Sequence, residues 1–313
     1  MKITTALAFL SLSLFFTPAA PAAPADTFGS LGNTFDIDFV TIGNPGNTED
    51  TTGNPAPPHL TGSVADTYRI GQFEISEDMI NKANAEGSLG ITHDGRGANK
   101  PATSISWFEA AQFVNWLNTD SGSTEAYKFN GSTFELWQPG DAGYNPNNLY
   151  RNSLATYFLP SVDEWYKAAY YDAGGGIYFD YPTGSNSVPD GIDFAGDPTF
   201  DAVFHDGGSN PAPNDITDVG VLSPYGTAGQ GGNVWEWEET DFDLMNGSGS
   251  SARGVRGGIW SFNSSLLLSS NRFSVNPTDG FFNVGFRVAS IPEPSTLLLA
   301  ALASVGLLMR RRR

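Results

Sequence analysis

The residues best placed to do chemistry lie in Gly231 to Trp237, G-G-N-V-W-E-W, followed downstream by Arg256-Gly257-Gly258-Ile259-Trp260 and Gly285-Phe286-Arg287. Asn233 and Glu236 carry side-chain oxygens beside two glycines, whose missing Cβ atoms leave the backbone of Gly232 and Val234 open to close approach. Hard oxygens grouped in this way suit Ca²⁺. The competing reading is a core strand whose glutamate is satisfied by hydrogen bonds. A second oxygen-rich stretch, Gly184 to Pro213, sets Asp190, Asp193, Asp197, Asp201 and Asp206 among glycines and prolines. It lacks the D-x-D-x-D-G order of an EF-hand, so a solvated loop and a Ca²⁺ site both stay open. His59, His93 and His205 stand apart, with no metal-ligand spacing. There is no cysteine, hence no thiol nucleophile and no disulfide framework. No Ser-His-Asp order and no carboxylate pair is singled out as catalytic.

These residues need a scaffold, and its elements are partly readable. From Asn233 to Trp237 the alternation puts Val234, Glu236 and Glu238 on one face and Trp235 and Trp237 on the other. Two helices announce their starts with capping boxes. Ser106 and Glu109 open one over Ser104 to Asn118, with Ala110, Phe113, Trp116 and Leu117 on one face. Ser161 and Glu164 open the other, with Trp165, Ala168 and Ala169 inward, before Gly174 to Gly176 stops it. Ser76 can cap a shorter helix through Ala85 that ends at Gly87. Thr34 to Ile42, Tyr68 to Ile75, Gly254 to Trp260, Leu266 to Phe273 and Val284 to Ala289 read as strands. Helices and short strands joined by long loops predict an α+β domain.

Composition narrows the function. The formal net charge is −18, and removing Lys2 and the C-terminal arginines makes the remainder more acidic still. Nucleic acid and anionic lipid are therefore poor partners, while cations, basic peptides and neutral glycans are favoured. Lys2, the apolar run Ile3 to Phe16 and the small residues to Ala25 predict a signal peptide over 1–25 and an exported protein. A single domain over 26–291 follows. The remainder, 292–313, opens at Pro292-Glu293-Pro294, runs through the apolar Leu297 to Met309 and finishes on Arg310 to Arg313. That run is shorter than the roughly 20 apolar residues of a spanning helix.

The order Pro-Glu-Pro, apolar run, arginine cluster resembles the PEP-CTERM sorting signal. This implies an exosortase-type processing enzyme as partner, transient membrane anchoring through the tail, and a destination in the cell envelope or outside it. The domain itself carries Y-R-I-G-Q-F-E-I-S from Tyr68, T-S-I-S-W-F-E-A-A-Q-F-V-N-W-L from Thr103 and Y-F-L-P-S-V-D-E-W-Y-K-A-A from Tyr157. With G-G-N-V-W-E-W, R-G-G-I-W and G-F-R in that order, it resembles the formylglycine-generating enzyme, or sulfatase-modifying factor, family. The resemblance implies that family's loop-rich variant of the C-type lectin fold.

It also implies what is missing. The family's copper is held by two cysteines, and Phe262 and Leu267 stand at the matching positions, so copper is not expected. Of the family's Ca²⁺ ligands, Gly232, Val234 and Glu236 match, with Asn233 between them, but Gly229 replaces a side-chain donor. Relatives that bind diverse ligands do so between the last two motifs. The matching stretch here, Ser261 to Asn283, together with Trp260, offers Phe262, Asn263, Asn271, Arg272 and Phe281 as a ligand surface. The expectation is an exported, non-catalytic module that binds a glycan or peptide in the exopolysaccharide matrix. A metal-dependent oxidoreductase related to sulfatase maturation is the alternative.

Overall fold

In the computed structural model each helix begins where the sequence supplies a cap. Helix α1, Glu77–Gly87, starts at Ser76, whose side chain accepts from the Met79 N–H, and stops where Ser88 turns left-handed. Both α2, Trp107–Asp120, and α3, Val162–Tyr170, have reciprocal capping boxes, formed by Ser106 with Glu109 and by Ser161 with Glu164. Each box satisfies N–H groups that the first helical turn leaves without partners. The structure describes residues 25–51, 61–208 and 210–292. Nearly all of the expected signal peptide, His59 and the apolar tail lie outside the described residues.

The strands are shorter than the sequence pattern suggests. β1 (Asp26–Phe28) pairs with β2 (Phe35–Ile37), and β3 (Phe39–Ile42) pairs with β4 (Tyr68–Gly71). The expected single strand over Thr34 to Ile42 is therefore broken at Asp38 and shared between two sheets. Its alternation still holds, with Phe35, Ile37 and Phe39 buried and Asp36 exposed. Next come the ribbon of β5 (Lys128–Asn130) and β6 (Thr133–Glu135), then β7 (Tyr157–Phe158), then the ribbon of β8 (Tyr171–Asp172) and β9 (Ile177–Tyr178). The longest strand is β10, Trp235–Asp241, followed by β11 (Arg253–Arg256), β12 (Phe273–Val275), β13 (Val284–Gly285) and β14 (Ala289–Ser290).

Two four-stranded sheets result, in the orders β12-β11-β10-β13 and β3-β4-β14-β7. The predicted strand over Val284 to Ala289 is a bridge between them: β13 runs parallel to β10, and β14 pairs with β4 and β7 in the other sheet. Leu266 to Phe273 is not a strand. It opens in a 3₁₀ turn over Ser264–Leu267, capped by Asn263, and only its last residue joins β12. Gly254 to Trp260 likewise stays extended only to Arg256, because Gly257 and Gly258 turn with positive φ. The main core is aromatic. Trp107, Phe113, Tyr127, Tyr150, Trp237 and Phe286 are fully enclosed in it, while α3 contributes its own cluster of Trp165, Tyr166 and Tyr170.

Candidate functional site

Strand β10 is buried on both faces, and its acids explain how that is tolerated. A buried carboxylate is costly unless it is paired. Glu236 accepts two bonds from the Arg287 guanidinium, at 2.5 and 2.6 Å, and a third from the Trp165 indole N–H at 2.7 Å. Glu238 is held by Arg256 at 2.8 Å and Arg272 at 2.7 Å. Glu239 is bound by Arg151, which also grips Glu164 on α3, and Asp241 pairs with Arg253. The Arg of R-G-G-I-W and the Arg of G-F-R are thus the counter-ions of the two glutamates at the centre of β10. Sequence spacing separates these motifs, and buried ion pairs join them. Gly254 is part of the arrangement, since a Cβ there would run into the Glu238 carboxylate and the Arg272 guanidinium.

This geometry bears on the cation reading. Both oxygens of Glu236 are already engaged, and the Asn233 amide accepts from the Asn214 N–H and donates to Glu74. Gly232, with φ +86°, is a glycine because the Val203 backbone occupies the place of its Cβ. A cation bound through Glu236 would have to displace a buried guanidinium. The side-chain donors here therefore do not fit Ca²⁺, and Asn233 and Glu236 serve the core. Among the described residues no group of three or more His, Cys, Asp or Glu could hold a metal ion. The loop acids Asp190, Asp193, Asp197, Asp201 and Asp206 follow suit, with Asp201 and Asp197 accepting backbone N–H bonds within their own loop. His93 bonds to Asn81, and the exposed His205 is far down the chain from it.

Glu74 is the functional-looking residue that sequence reasoning passed over inside its strand motif. Its Oε2 accepts from Asn233 at 2.8 Å, and its Oε1 has no partner. Burial, then the neighbouring Glu236, push its carboxyl up to about 8 against the pull of Arg287. The Arg287 donors go to Glu236 and to the carbonyls of Gly71, Gln72 and Ala228, so burial beside the charged Glu236 favours the neutral form of Glu74.

The expected ligand surface divides. Phe262 and Phe281 stay exposed, at 56% and 45%. They line a groove of about 350 Å³ with Trp235, Val255, Ile259, Leu266, Phe273 and Val275. Phe273, 45% exposed, was not singled out by sequence, and its ring lies 5.0 Å from that of Trp235. Trp260 and Arg272 must be corrected to structural positions. Trp260 is buried beneath Phe282 and the Arg96 guanidinium. Arg272 spends its donors on Glu238 and on the carbonyls of Thr240, Asp241 and Phe242. Asn263 caps the 3₁₀ turn, and Asn271 donates to the Ser265 carbonyl. The groove runs beside β12, which among the described residues is an edge strand with a neighbour on one side only.

Together these features define a mixed, loop-rich α+β domain of the C-type-lectin-like class. A family model described as the Sulfatase-modifying factor enzyme 1-like domain matches residues 38–291, and the chain belongs to that family. The PEP-CTERM protein-sorting motif matches residues 290–313. Similar solved structures include Treponema denticola variable protein 1, at 18% identity and a TM-score of 0.61, covering 86% of this chain and 100% of that one. CarF gives 18% identity and a TM-score of 0.60 over 82% of this chain and 99% of its own. PvdO from Pseudomonas aeruginosa gives 15% and 0.52 over 86% and 99%. A search of curated proteins returned no match. At these identities the likeness is one of fold. The sorting motif implies exosortase-mediated sorting, C-terminal membrane anchoring and export to the cell envelope.

Proposed function

We propose that the domain is a non-catalytic binding module of the cell envelope, and that its groove beside β12 receives an extended peptide segment of a partner protein. The observation that carries this reading is the cluster of exposed phenylalanines, Phe262, Phe273 and Phe281, around a groove floored by Trp235. Isolated exposed apolar residues are ordinary, but a contiguous patch beside an edge strand is not. Among the lining side chains only Ser274 and Asn283 are polar, which suits an apolar anchor residue better than a sugar. The edge of β12 offers backbone groups for strand addition. The acidic surface favours basic residues flanking the anchor. Phenylalanine and leucine at the positions matching the family's copper cysteines support a role without redox chemistry.

The tail completes the reading. It holds the acidic domain outside the membrane until an exosortase-type enzyme cuts near Pro292-Glu293-Pro294, after which the domain is released or passed to another anchor.

A peptide and glycan array probed with the mature domain tests the groove. Retention of peptides with an aromatic or large aliphatic residue between lysines, lost in Phe273→Ser, is the expected result. Retention of glycans alone, or peptide retention unchanged in Phe273→Ser, would overturn it.

A further inference from the structure

A second recess, of about 500 Å³, lies between the end of α1, helix α2 and the β5–β6 ribbon, and shares no residue with the groove. Its volume falls within the roughly 300–1,000 Å³ typical of small-molecule sites. Trp116 lines it, held in place by Phe35 and Phe113. Gly87 passes so close over this indole that a Cβ would meet its Cδ1 and Nε1 atoms.

Two of the polar side chains lining this cleft, Asn115 and Thr119, are bonded within the protein, and three others are not. The indole N–H of Trp107, Trp137, Trp165 and Trp237 each donates to a protein oxygen. Among the described residues that of Trp116 has no hydrogen-bond partner, and Trp116 lines the cleft. The Gln112 amide and the Glu125 carboxylate also lack a partner among the described residues. Leu89 and Phe129 supply apolar walls, and no Lys, Arg or His lines the site.

We propose that this cleft binds a sugar residue of a neutral polysaccharide. A hydroxyl group both donates and accepts, and the cleft offers both: an N–H donor in Trp116, an acceptor in Glu125, and an amide in Gln112 that does either. The apolar walls match the C–H face of a sugar ring. An anion would meet Glu125 with no counter-ion, and a purely apolar ligand would leave three polar groups without water or partner. A metal ion would find one carboxylate, too few for a hard cation. The proposal is independent of the peptide groove.

The test uses the mature domain with the neutral probes maltohexaose, cellohexaose and mannohexaose, and polygalacturonate as the anionic control. The Trp116 indole N–H resonance should shift with at least one neutral probe. Trp116→Phe, which keeps an aromatic ring, and the surface pair Gln112→Ala and Glu125→Gln should each weaken that binding by roughly tenfold or more. Phe273→Ser should leave it unchanged, which separates failure here from failure of the groove. The proposal is overturned if no neutral probe moves the Trp116 resonance, if the variants bind as tightly as the wild type, or if polygalacturonate is preferred.

Discussion

Arg287 and Glu236 show how a residue can look like a site and be a keystone. Asn233 and Glu236 carry the right oxygens for a hard cation, and nothing in their spacing reveals that a guanidinium fifty-one positions downstream takes both carboxylate oxygens. The aromatic half of the same motif was legible, because burial of Trp235 and Trp237 follows from periodicity alone. The ion pairs were not, because partner choice depends on where separate strands come together. Removing one partner of a buried pair leaves an uncompensated charge, so Arg287→Ala should cost about 3–5 kcal/mol in denaturant unfolding. A loss under about 1 kcal/mol would show that Glu236 finds other compensation. Because Arg287 already fills the place of a cation, adding a chelator should leave the melting temperature unchanged. A fall in melting temperature that Ca²⁺ reverses would restore Glu236 as a ligand.

At the scale of elements, the helices were the most readable because their signals are local. Ser106 with Glu109 and Ser161 with Glu164 close their boxes as spacing predicts. The strands were misread where apolar alternation continued through a change of sheet, at Asp38 and again at Phe286-Arg287. Leu266 and Leu267 read as strand but enter a turn, because Asn263 caps it and Leu267 reaches the core from there. Helix α3 carries a pH-sensitive group near its start. Burial pushes the Asp163 carboxyl up to about 6, so the folded state holds this proton more tightly than the unfolded chain. Between about pH 4 and pH 6 the unfolded chain binds fewer protons, and stability falls as pH rises by up to about 1.4 kcal/mol per unit. Asp163→Asn keeps an acceptor for the Gly62 N–H and should flatten the stability profile over that window. An identical slope in the variant would assign the pH dependence to another group.

Over the whole molecule, one acidic domain is followed by a sorting motif at residues 290–313. Leu297 to Met309 is short for a permanent anchor, yet costly to leave in water at roughly 0.8 kcal/mol per exposed CH₂. The arginines after it resist crossing the bilayer. Mass spectrometry of protein from the native envelope should therefore find a C-terminus near Ile291 to Pro294. An intact Arg313 in the dominant species would leave an unprocessed tail. The family and fold were legible from six motifs in order. The groove was only half legible, because Phe262 and Phe281 lie in the stretch expected to bind, while Trp235 and Val255 join them only through the sheet.

The most direct test of the groove is a titration of a single extended peptide, one phenylalanine flanked by lysines, into the mature domain while the tryptophan fluorescence is followed. The peptide should bind and perturb the Trp235 environment. The double variant Phe262→Ser, Phe273→Ser, altered only at exposed positions, should keep its melting temperature and bind at least roughly tenfold more weakly. Equal affinity for the folded variant and the wild type, or no binding to the wild type, would contradict the account.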